Sequence, residues 1–314
     1  MLQYIVRRLM LVLPTLLIIS IIAFLILRTI PGDPAEALAP IEAPPEVVEA
    51  IREKLRLDRP LYIQYFEWMR RIVSGDFGTS IKNSFPVSLL IGARLPVTFT
   101  VAIGAMTIGV AAALFVGILA AIARSVWIRK LCNLYLAIAY ALPNYWLALM
   151  LILTVSMQAR LLPASGYLPF STNFGKAISF LILPWITLAS KQTAIIGRYV
   201  KTGLTEQLRA DYCTTARAKG LRERSVVFRH ALRNTLIPVV TIIGLQLGFF
   251  FSGAIIVETI FNLPGMGRLT INSLTRRDYP TLQAIFLIVG TGFVAINLAV
   301  DIVYSFVDPR IRYD

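Results

Sequence analysis

Between two apolar runs lies the polar, strongly basic segment TEQLRADYCTTARAKGLRERSVVFRHALRN, residues 205–234. Each of the flanking runs is nearly long enough to cross a bilayer. Ten Lys or Arg residues lie between Lys191 and Arg233, against three acidic residues. Because basic loops of membrane proteins stay in the cytoplasm, this segment predicts which way the chain faces.

Within the basic segment, residues 211–219 predict a short helix, and Gly220 is a typical C-terminal stop. The small side chains of Ala216 and Ala218 would allow this helix to dock closely into a groove, and the cationic side chains beside them would fix its register. A basic helix lying on anionic lipid is the alternative. Composition alone favours neither of these two roles.

The composition of the whole chain is that of a membrane protein. Hydrophobic residues make up 57% of it and charged residues 15%. The apolar residues come in blocks of roughly 20, which is the number needed to cross about 30 Å of hydrocarbon. A net charge of +14 can indicate nucleic-acid binding, but here the positive residues concentrate in loops beside the apolar blocks. We therefore expect contact with the lipid bilayer and no nucleic-acid partner.

The apolar blocks predict six transmembrane helices with both termini in the cytoplasm. Residues 1–30 would form the cytoplasmic N-terminus and first span, residues 31–94 a small helical extracytoplasmic region, and residues 307–314 a cytoplasmic tail. The core of residues 95–306 would hold the other spans, at about 97–123, 131–158, 177–199, 235–257 and 281–306, with the polar loop 200–234 between the fourth and fifth. Pro143 predicts a kink in the third span.

The sequence contains no catalytic constellation. His230 is the single histidine, which excludes a zinc site or catalytic triad built on a histidine cluster. The GxxxxGK[ST] phosphate loop is also missing, so we expect neither an enzyme nor ATP binding by this chain. Energy for transport would have to come from another subunit. Cys132 and Cys213 both fall on the cytoplasmic side, where free thiols are expected.

A few polar residues within or beside the spans are candidates for a transport pathway, namely Asn144, Gln246 and Lys191. Lys191 lies near the inner end of the fourth span, where snorkelling to the interface is the simpler role. Gln246 and Glu258 could face an aqueous path or form interhelical hydrogen bonds. Asp301 would suit ion coupling in a secondary transporter, although pairing with a loop arginine is the simpler role.

Several motifs follow one another along essentially all 314 residues. The longest is TARAKGLRERSVVFRHALRNTLIPVV, residues 215–240. The others are MLQYIVRRL, PGDPAE, GDFGTS, ALPNYWLALML, ETIFNLPGMGRL, RRDYP and DPRIRY. Together they resemble the permease subunits of ABC importers of the dipeptide/oligopeptide/nickel family. The general permease loop pattern, Glu-Ala-Ala, three residues and then Gly, is met in part, with Ala216 and Gly220 in place and threonines before Ala216.

The resemblance implies the type I ABC importer permease fold, an all-α membrane protein of the bacterial or archaeal cytoplasmic membrane. It implies pairing with a second homologous permease, with two ATP-binding subunits and with an extracytoplasmic solute-binding protein. ATP and Mg²⁺ would be bound by the partner ATPases, and this chain would carry no cofactor or metal. The residues that the resemblance implies in coupling to the ATPase are Asp211, Thr215, Ala216, Arg217, Ala218, Lys219, Gly220 and Leu221.

The implied function is ATP-driven import of di- or oligopeptides by alternating access. Nickel or another metal chelate and glutathione are alternative substrates for the same machinery. The scarcity of His and of outer Cys argues against direct metal ligation by this chain. A stand-alone secondary transporter is the alternative from a different class. It would show paired inverted repeats and acidic residues deep in the spans, and the sequence shows neither.

Overall fold

The computed structural model describes residues 2–25, 44–54 and 58–307, and helices dominate this part of the chain. The first helix, α1, spans Leu2–Leu25. Two short helices follow before the next span, α2 (Pro45–Lys54) and α3 (Leu61–Val73). The predicted end of the first span at 26–30, the PGDP turn and the tail beyond residue 307 lie outside the described residues.

Long apolar helices, with shorter helices between them, form most of the described chain after α3. In order, the elements are α4 (Val87–Ile122), α5 (Val126–Ala141), α6 (Asn144–Leu151), α7 (Phe174–Gln207), α8 (Asp211–Ala218), α9 (Leu232–Ile260), α10 (Met266–Thr275) and α11 (Tyr279–Val307). Among the described residues, five helices are long and apolar enough to cross a membrane, and up to six spans result if α5 and α6 count as one bent span. The predicted all-α, multi-pass architecture is confirmed.

Two of the long helices extend well beyond the predicted spans. α4 begins at Val87, about ten residues before the predicted start, and Pro96 lies inside it rather than at its entrance. The extra turns are stabilised by burial, because Val87 and Ile91 pack with Met266 and Ile285 from α10 and α11. Similarly, α7 runs from Phe174 to Gln207, so the first part of the predicted 200–234 loop is helical.

The third predicted span is broken, not merely kinked. α5 and α6 meet at an angle of 104° across Leu142 and Pro143. Leu142 has an extended backbone, φ −70° and ψ 125°, as steric contact with a following proline ring requires. Pro143 then precedes the first turn of α6, where its missing N–H costs nothing. α6 continues directly into a π-helical segment, Ile152–Gln158.

Small residues bring α4 and α7 into close contact at the centre of the bundle. A Cβ added at Gly117 would lie 2.7 Å from the carbonyl oxygen of Gly197. The two backbones can therefore approach this closely only because residue 117 is glycine. Nearer the outer side, the Trp185 indole N–H donates to the Thr100 carbonyl oxygen across 3.2 Å and covers Gly104. The small-residue face of α4 therefore fixes how close α7 lies.

On the outer side, two sequence motifs meet at one carboxylate. Asp278 of RRDYP is buried and accepts hydrogen bonds from the Ser80 hydroxyl at 2.5 Å and the Ile81 N–H at 3.1 Å, both in or next to the GDFGTS turn. It also accepts from the Thr281 hydroxyl at 2.8 Å. The turn before α4 is thereby joined to the start of α11.

Close by in sequence, α3 packs on α1, with Tyr65 and Ser20 sharing a 2.7 Å hydrogen bond.

Candidate functional site

The short helix α8 is docked on the cytoplasmic ends of the long helices. Its inner face carries Cys213 and Ala216, which are buried and lie one turn apart. They form one hydrophobic cluster with Leu204 of α7 and with Val226 and Ala231, which lead into α9. Ile118, Ala121, Leu208 and Leu232 pack around this cluster. A displacement of α8 therefore acts on α4, α7 and α9 at the same time.

Gly220 ends α8 in a Schellman motif. Its N–H bonds to the Arg217 carbonyl at 2.9 Å, and the Leu221 N–H bonds to the Ala216 carbonyl at 3.2 Å. Gly220 has a φ of +80°, and a Cβ added there would meet nothing within 4 Å. The position requires glycine because of its left-handed backbone, not because space is short. This geometry is the one that the sequence predicted for residue 220.

The Arg217 side chain forms hydrogen bonds to other parts of the same chain. Its guanidinium makes two hydrogen bonds to the Glu223 carboxylate, at 2.9 and 3.0 Å, and a third to the Leu208 carbonyl oxygen at 3.0 Å. The hydrogen bonds to Glu223 raise the pKa of Arg217 above its ordinary value. The side chain thus holds α8 between the end of α7 and the turn at Glu223. These contacts are intramolecular, and the role in coupling to the ATPase that the resemblance implies for Arg217 stays a prediction.

The outward face of α8 is open to a partner. Of the residues that the resemblance implies in coupling, Ala216 is buried and Arg217 is bonded as above. Those that are exposed are Asp211, Thr215, Arg217, Ala218, Lys219, Gly220 and Leu221. Two further exposed aromatic side chains flank them, Tyr212 and Phe228, at 38% and 49% exposure. Sequence reasoning missed both, although aromatic residues in an otherwise basic loop are a recognisable interface signal.

The polar pathway candidates fall in different environments. The Gln246 amide N–H donates to the Gln192 side-chain oxygen across 2.7 Å, which joins α9 to α7. Gln192 is buried and was not among the predicted residues. Lys191, its neighbour, points to the exposed side of α7, and Asn144 lies half-buried at the start of α6. The described contacts therefore bring Gln246 to Gln192 but not to Lys191 or Asn144.

A second polar centre lies at the outer end of α9. Glu258 is fully buried, and its carboxylate accepts from the Thr98 hydroxyl at 2.6 Å and from the N–H groups of Gly267 and Arg268 at 2.7 and 3.2 Å. The Thr98 oxygen in turn accepts from the Met266 N–H at 2.8 Å. The ETIFNLPGMG sequence thus folds back so that its own glutamate caps the first turn of α10. Glu258 forms interhelical hydrogen bonds, which was one of its two predicted roles.

Comparison with known proteins agrees with this architecture. The family model for binding-protein-dependent transport system inner membrane components matches residues 113–313, and the model for their N-terminal part matches residues 1–102. The glutathione transport system permease protein GsiC of Escherichia coli (strain K12) is 39% identical over 313 residues, covering 100% of both chains. The protein of the same name from Salmonella paratyphi A is 38% identical over the same length, again covering 100% of both chains.

A solved structure shares the fold. The crystal structure of an amino acid ABC transporter with histidines superposes with a TM-score of 0.52 at 18% identity, covering 71% of this chain and 95% of that chain. A bundle of apolar spans with a docked cytoplasmic helix is the architecture of an ABC importer permease. The chain belongs to the family of binding-protein-dependent transport system inner membrane components.

Membership of this family defines the protein as a multi-pass permease of the cytoplasmic membrane. Permease subunits have no ATPase site of their own, and the family implies ATPase and substrate-binding partners. Within residues 2–25, 44–54 and 58–307, no group of three or more His, Cys, Asp and Glu side chains could hold a metal ion.

Proposed function

We propose that this chain is one of two homologous permeases in an ATP-driven importer of small peptides. The observation that carries the proposal is the seat of α8, whose buried face touches α4, α7 and the segment leading into α9 while its other face is exposed. The peptide class follows from the resemblance of the motifs. Glutathione, itself a tripeptide, is the first substrate to test, because relatives 39% identical over the full length are glutathione permeases.

In this proposal α8 receives the motion of the ATPase subunits, which bind ATP and Mg²⁺ and hydrolyse the nucleotide. The exposed Tyr212, Leu221 and Phe228 give the partner an apolar contact within a basic surface. When the ATPase dimer closes, α8 is carried with it, and the helix ends packed on Cys213 and Ala216 must follow. The spans then change between inward-open and outward-open arrangements.

On the outer side, the proposal assigns the solute-binding protein to the surface built by α2, α3 and α10. Within this surface, Glu258 holds α10 to the outer ends of α4 and α9, and Asp278 holds the turn at Ser80 to the start of α11, in both cases by buried hydrogen bonds. Docking of the binding protein is then sensed directly by the spans. Gln192 and Gln246, which join α7 to α9, lie between the outer and inner contacts and would adjust when these helices move apart.

The test is uptake by proteoliposomes that contain this chain, its second permease and the two ATPases, with the solute-binding protein added outside. Radiolabelled glutathione, a dipeptide and a nickel chelate are compared with and without internal ATP. We expect ATP-dependent uptake of glutathione or the dipeptide that persists when an ionophore collapses the proton gradient. Uptake that needs the proton gradient and not ATP would instead establish a secondary transporter. Exclusive uptake of the nickel chelate would reject the peptide class.

A further inference from the structure

A basic pocket opens where the cytoplasmic ends of α4 and α7 meet the start of α5. It has a volume of about 350 Å³. Its polar lining consists of Arg129, Lys130, Asn133, Lys201 and Thr205, and no carboxylate contributes to it. Three cations from two helices thus face one space without an acidic partner. The transport mechanism proposed above assigns no role to the cations of this pocket.

Among the described residues, no carboxylate forms a salt bridge with the cations of the pocket. Within the part of the chain that the structure describes, the salt bridges are formed by other residues, and none involves Arg129, Lys130 or Lys201. The one described contact of the Lys130 ammonium group is with the Trp127 ring, whose centroid lies 5.3 Å away. Like charges held together in this way repel one another, so a bound anion stabilises the arrangement.

The neighbouring face of α5 is apolar and open. Trp127, Leu131, Leu134 and Ile138 recur at helical spacing and are 74%, 62%, 55% and 48% exposed. This apolar stripe begins beside the pocket and follows α5 away from the cytoplasmic end, in the direction of the bilayer interior. An exposed tryptophan next to a lysine at the end of a span is typical of the membrane interface.

We propose that this pocket binds the phosphate-bearing headgroup of an anionic phospholipid from the cytoplasmic leaflet, with the acyl chains lying along the apolar stripe. The pocket lies at the depth of the lipid headgroups, because its residues Ala120 and Ala121 belong to the last turn of the α4 span. The cytoplasmic leaflet supplies anionic headgroups, and basic pockets between spans on this side recognise them. A free phosphate ion or an acidic side chain of a partner would use the cations but not the stripe.

The site also touches the coupling machinery. Ala121 lines the pocket and packs on the hydrophobic cluster beneath α8, and Lys201 lies one turn before Leu204 of that cluster. A lipid headgroup that bridges α5 and α7 therefore holds the end of α7, which is one of the helix ends that α8 packs against. Occupancy of the pocket favours one relative position of α5 and α7, so the anionic lipid content of the membrane influences the importer.

The experiment measures lipid binding to the full-length protein purified in mild detergent with the subunits that accompany it. After delipidation, phosphatidylglycerol or phosphatidylcholine is titrated in, and bound lipid is counted by native mass spectrometry. The test variant carries Arg129→Gln, Lys130→Gln and Lys201→Gln. The matched control carries Arg222→Gln, Arg224→Gln and Arg233→Gln, which removes the same charge from exposed cytoplasmic positions outside the pocket. A third variant, Trp127→Ala with Leu134→Ser, shortens the apolar stripe.

We expect the protein to bind phosphatidylglycerol more tightly than phosphatidylcholine. The affinity for phosphatidylglycerol should fall about fivefold for each charge removed from the pocket, and it should change little in the control variant. The stripe variant should also bind less lipid, and millimolar inorganic phosphate should not compete. Equal lipid binding by pocket and control variants would overturn the proposal. So would competition by phosphate, which indicates a free-anion site, or loss of the ATPase subunits without loss of lipid, which indicates a protein contact. Because the substituted side chains are exposed or half-buried, all variants are expected to fold, and size-exclusion chromatography checks this.

Discussion

Thr98 and Glu258 are 160 positions apart in the sequence, and the hydroxyl of the first donates to the carboxylate of the second across 2.6 Å. The pair joins α4 to α9, and through the N–H groups of Met266 and Gly267 it also holds α10. A buried carboxylate is costly unless donors surround it. Here the Thr98 hydroxyl and the N–H groups of Gly267 and Arg268 surround it, so this carboxylate holds three helices together on the outer side.

Replacing Glu258 with Gln tests this joint. The amide keeps the size of the carboxylate but replaces one of its two acceptor oxygens with an N–H₂ group, so either the hydrogen bond donated by Thr98 or those donated by Gly267 and Arg268 are lost. We expect a destabilisation of about 1.5–3 kcal/mol, the usual worth of a hydrogen bond to a charged group. Thermal unfolding followed by tryptophan fluorescence measures it. Thr98→Val removes the bond to Glu258 and the acceptor of the Met266 N–H and should destabilise by a similar amount. An unchanged melting temperature for Glu258→Gln would contradict the role.

Two glycines of α4 provide a matched comparison of helix packing. Gly117→Ala places a Cβ within 2.7 Å of the Gly197 carbonyl oxygen, whereas a Cβ at Gly92 meets nothing within 4 Å. We expect Gly117→Ala to destabilise by about 1–3 kcal/mol through overpacking. Gly92→Ala should be neutral or stabilising by about 0.5–1 kcal/mol, because alanine is the better helix former. The measurement is the melting temperature in detergent. Similar shifts for the two variants would show that α4 and α7 are not held at this distance.

Gly220→Val should separate ATP hydrolysis from uptake while the protein still inserts into the membrane. A β-branched residue is strained at a φ of +80°, so the turn that positions Leu221 is lost. In proteoliposomes with the ATPase subunits, we expect at least about a fivefold fall in substrate transported per ATP hydrolysed. Gly220→Asn is the control, because asparagine tolerates the left-handed region, and it should keep most of the coupling. Full coupling in the valine variant would count against a docking role for this turn.

Removing the Arg217 side chain should loosen α8 from its seat. Cys213 is fully buried beneath the helix and reports on such opening through its reaction with N-ethylmaleimide. In a Cys132→Ser background, we expect Arg217→Ala to speed labelling of Cys213 about fivefold, since hydrogen bonds to Glu223 and to the Leu208 carbonyl are lost. Lys219→Ala removes a charge from the same turn without a described contact and should leave the rate unchanged. Equal labelling rates in both variants would show that the Arg217 side chain does not hold α8 on the helix ends beneath it.

Local features of this chain were predictable from sequence, and long-range contacts were not. The stop at Gly220 and the break at Pro143 follow from the backbone chemistry of single residues, so both positions were found. The size of the bend at Pro143 depends on what α6 packs against, which no local rule supplies. The early start of α4 at Val87 was missed because Arg94 and Pro96 interrupt the apolar run, while burial against Met266 stabilises those turns.

The partners of polar side chains were also beyond sequence reasoning. Arg217 was placed correctly on the cytoplasmic helix, but its bond to Glu223 depends on how the turn after Gly220 folds back. Likewise Gln246 was recognised as a polar residue in a span, whereas its partner Gln192 is 54 positions away on another helix. In each case the residue type limits the chemistry, and tertiary packing then selects one partner.

The length of α4 has a consequence for how the two faces of the membrane communicate. Its 36 residues make a rod of about 54 Å, since each residue adds about 1.5 Å. Ile118 lies against the cluster beneath α8, and Thr98 and Val87 lie in the outer joints. A tilt of only about 5° about one end would displace the other by about 5 Å over this length. We therefore expect α4 to act as a lever: a small rotation at the cytoplasmic surface would displace its outer end together with α9 and α10, to which Thr98 joins it.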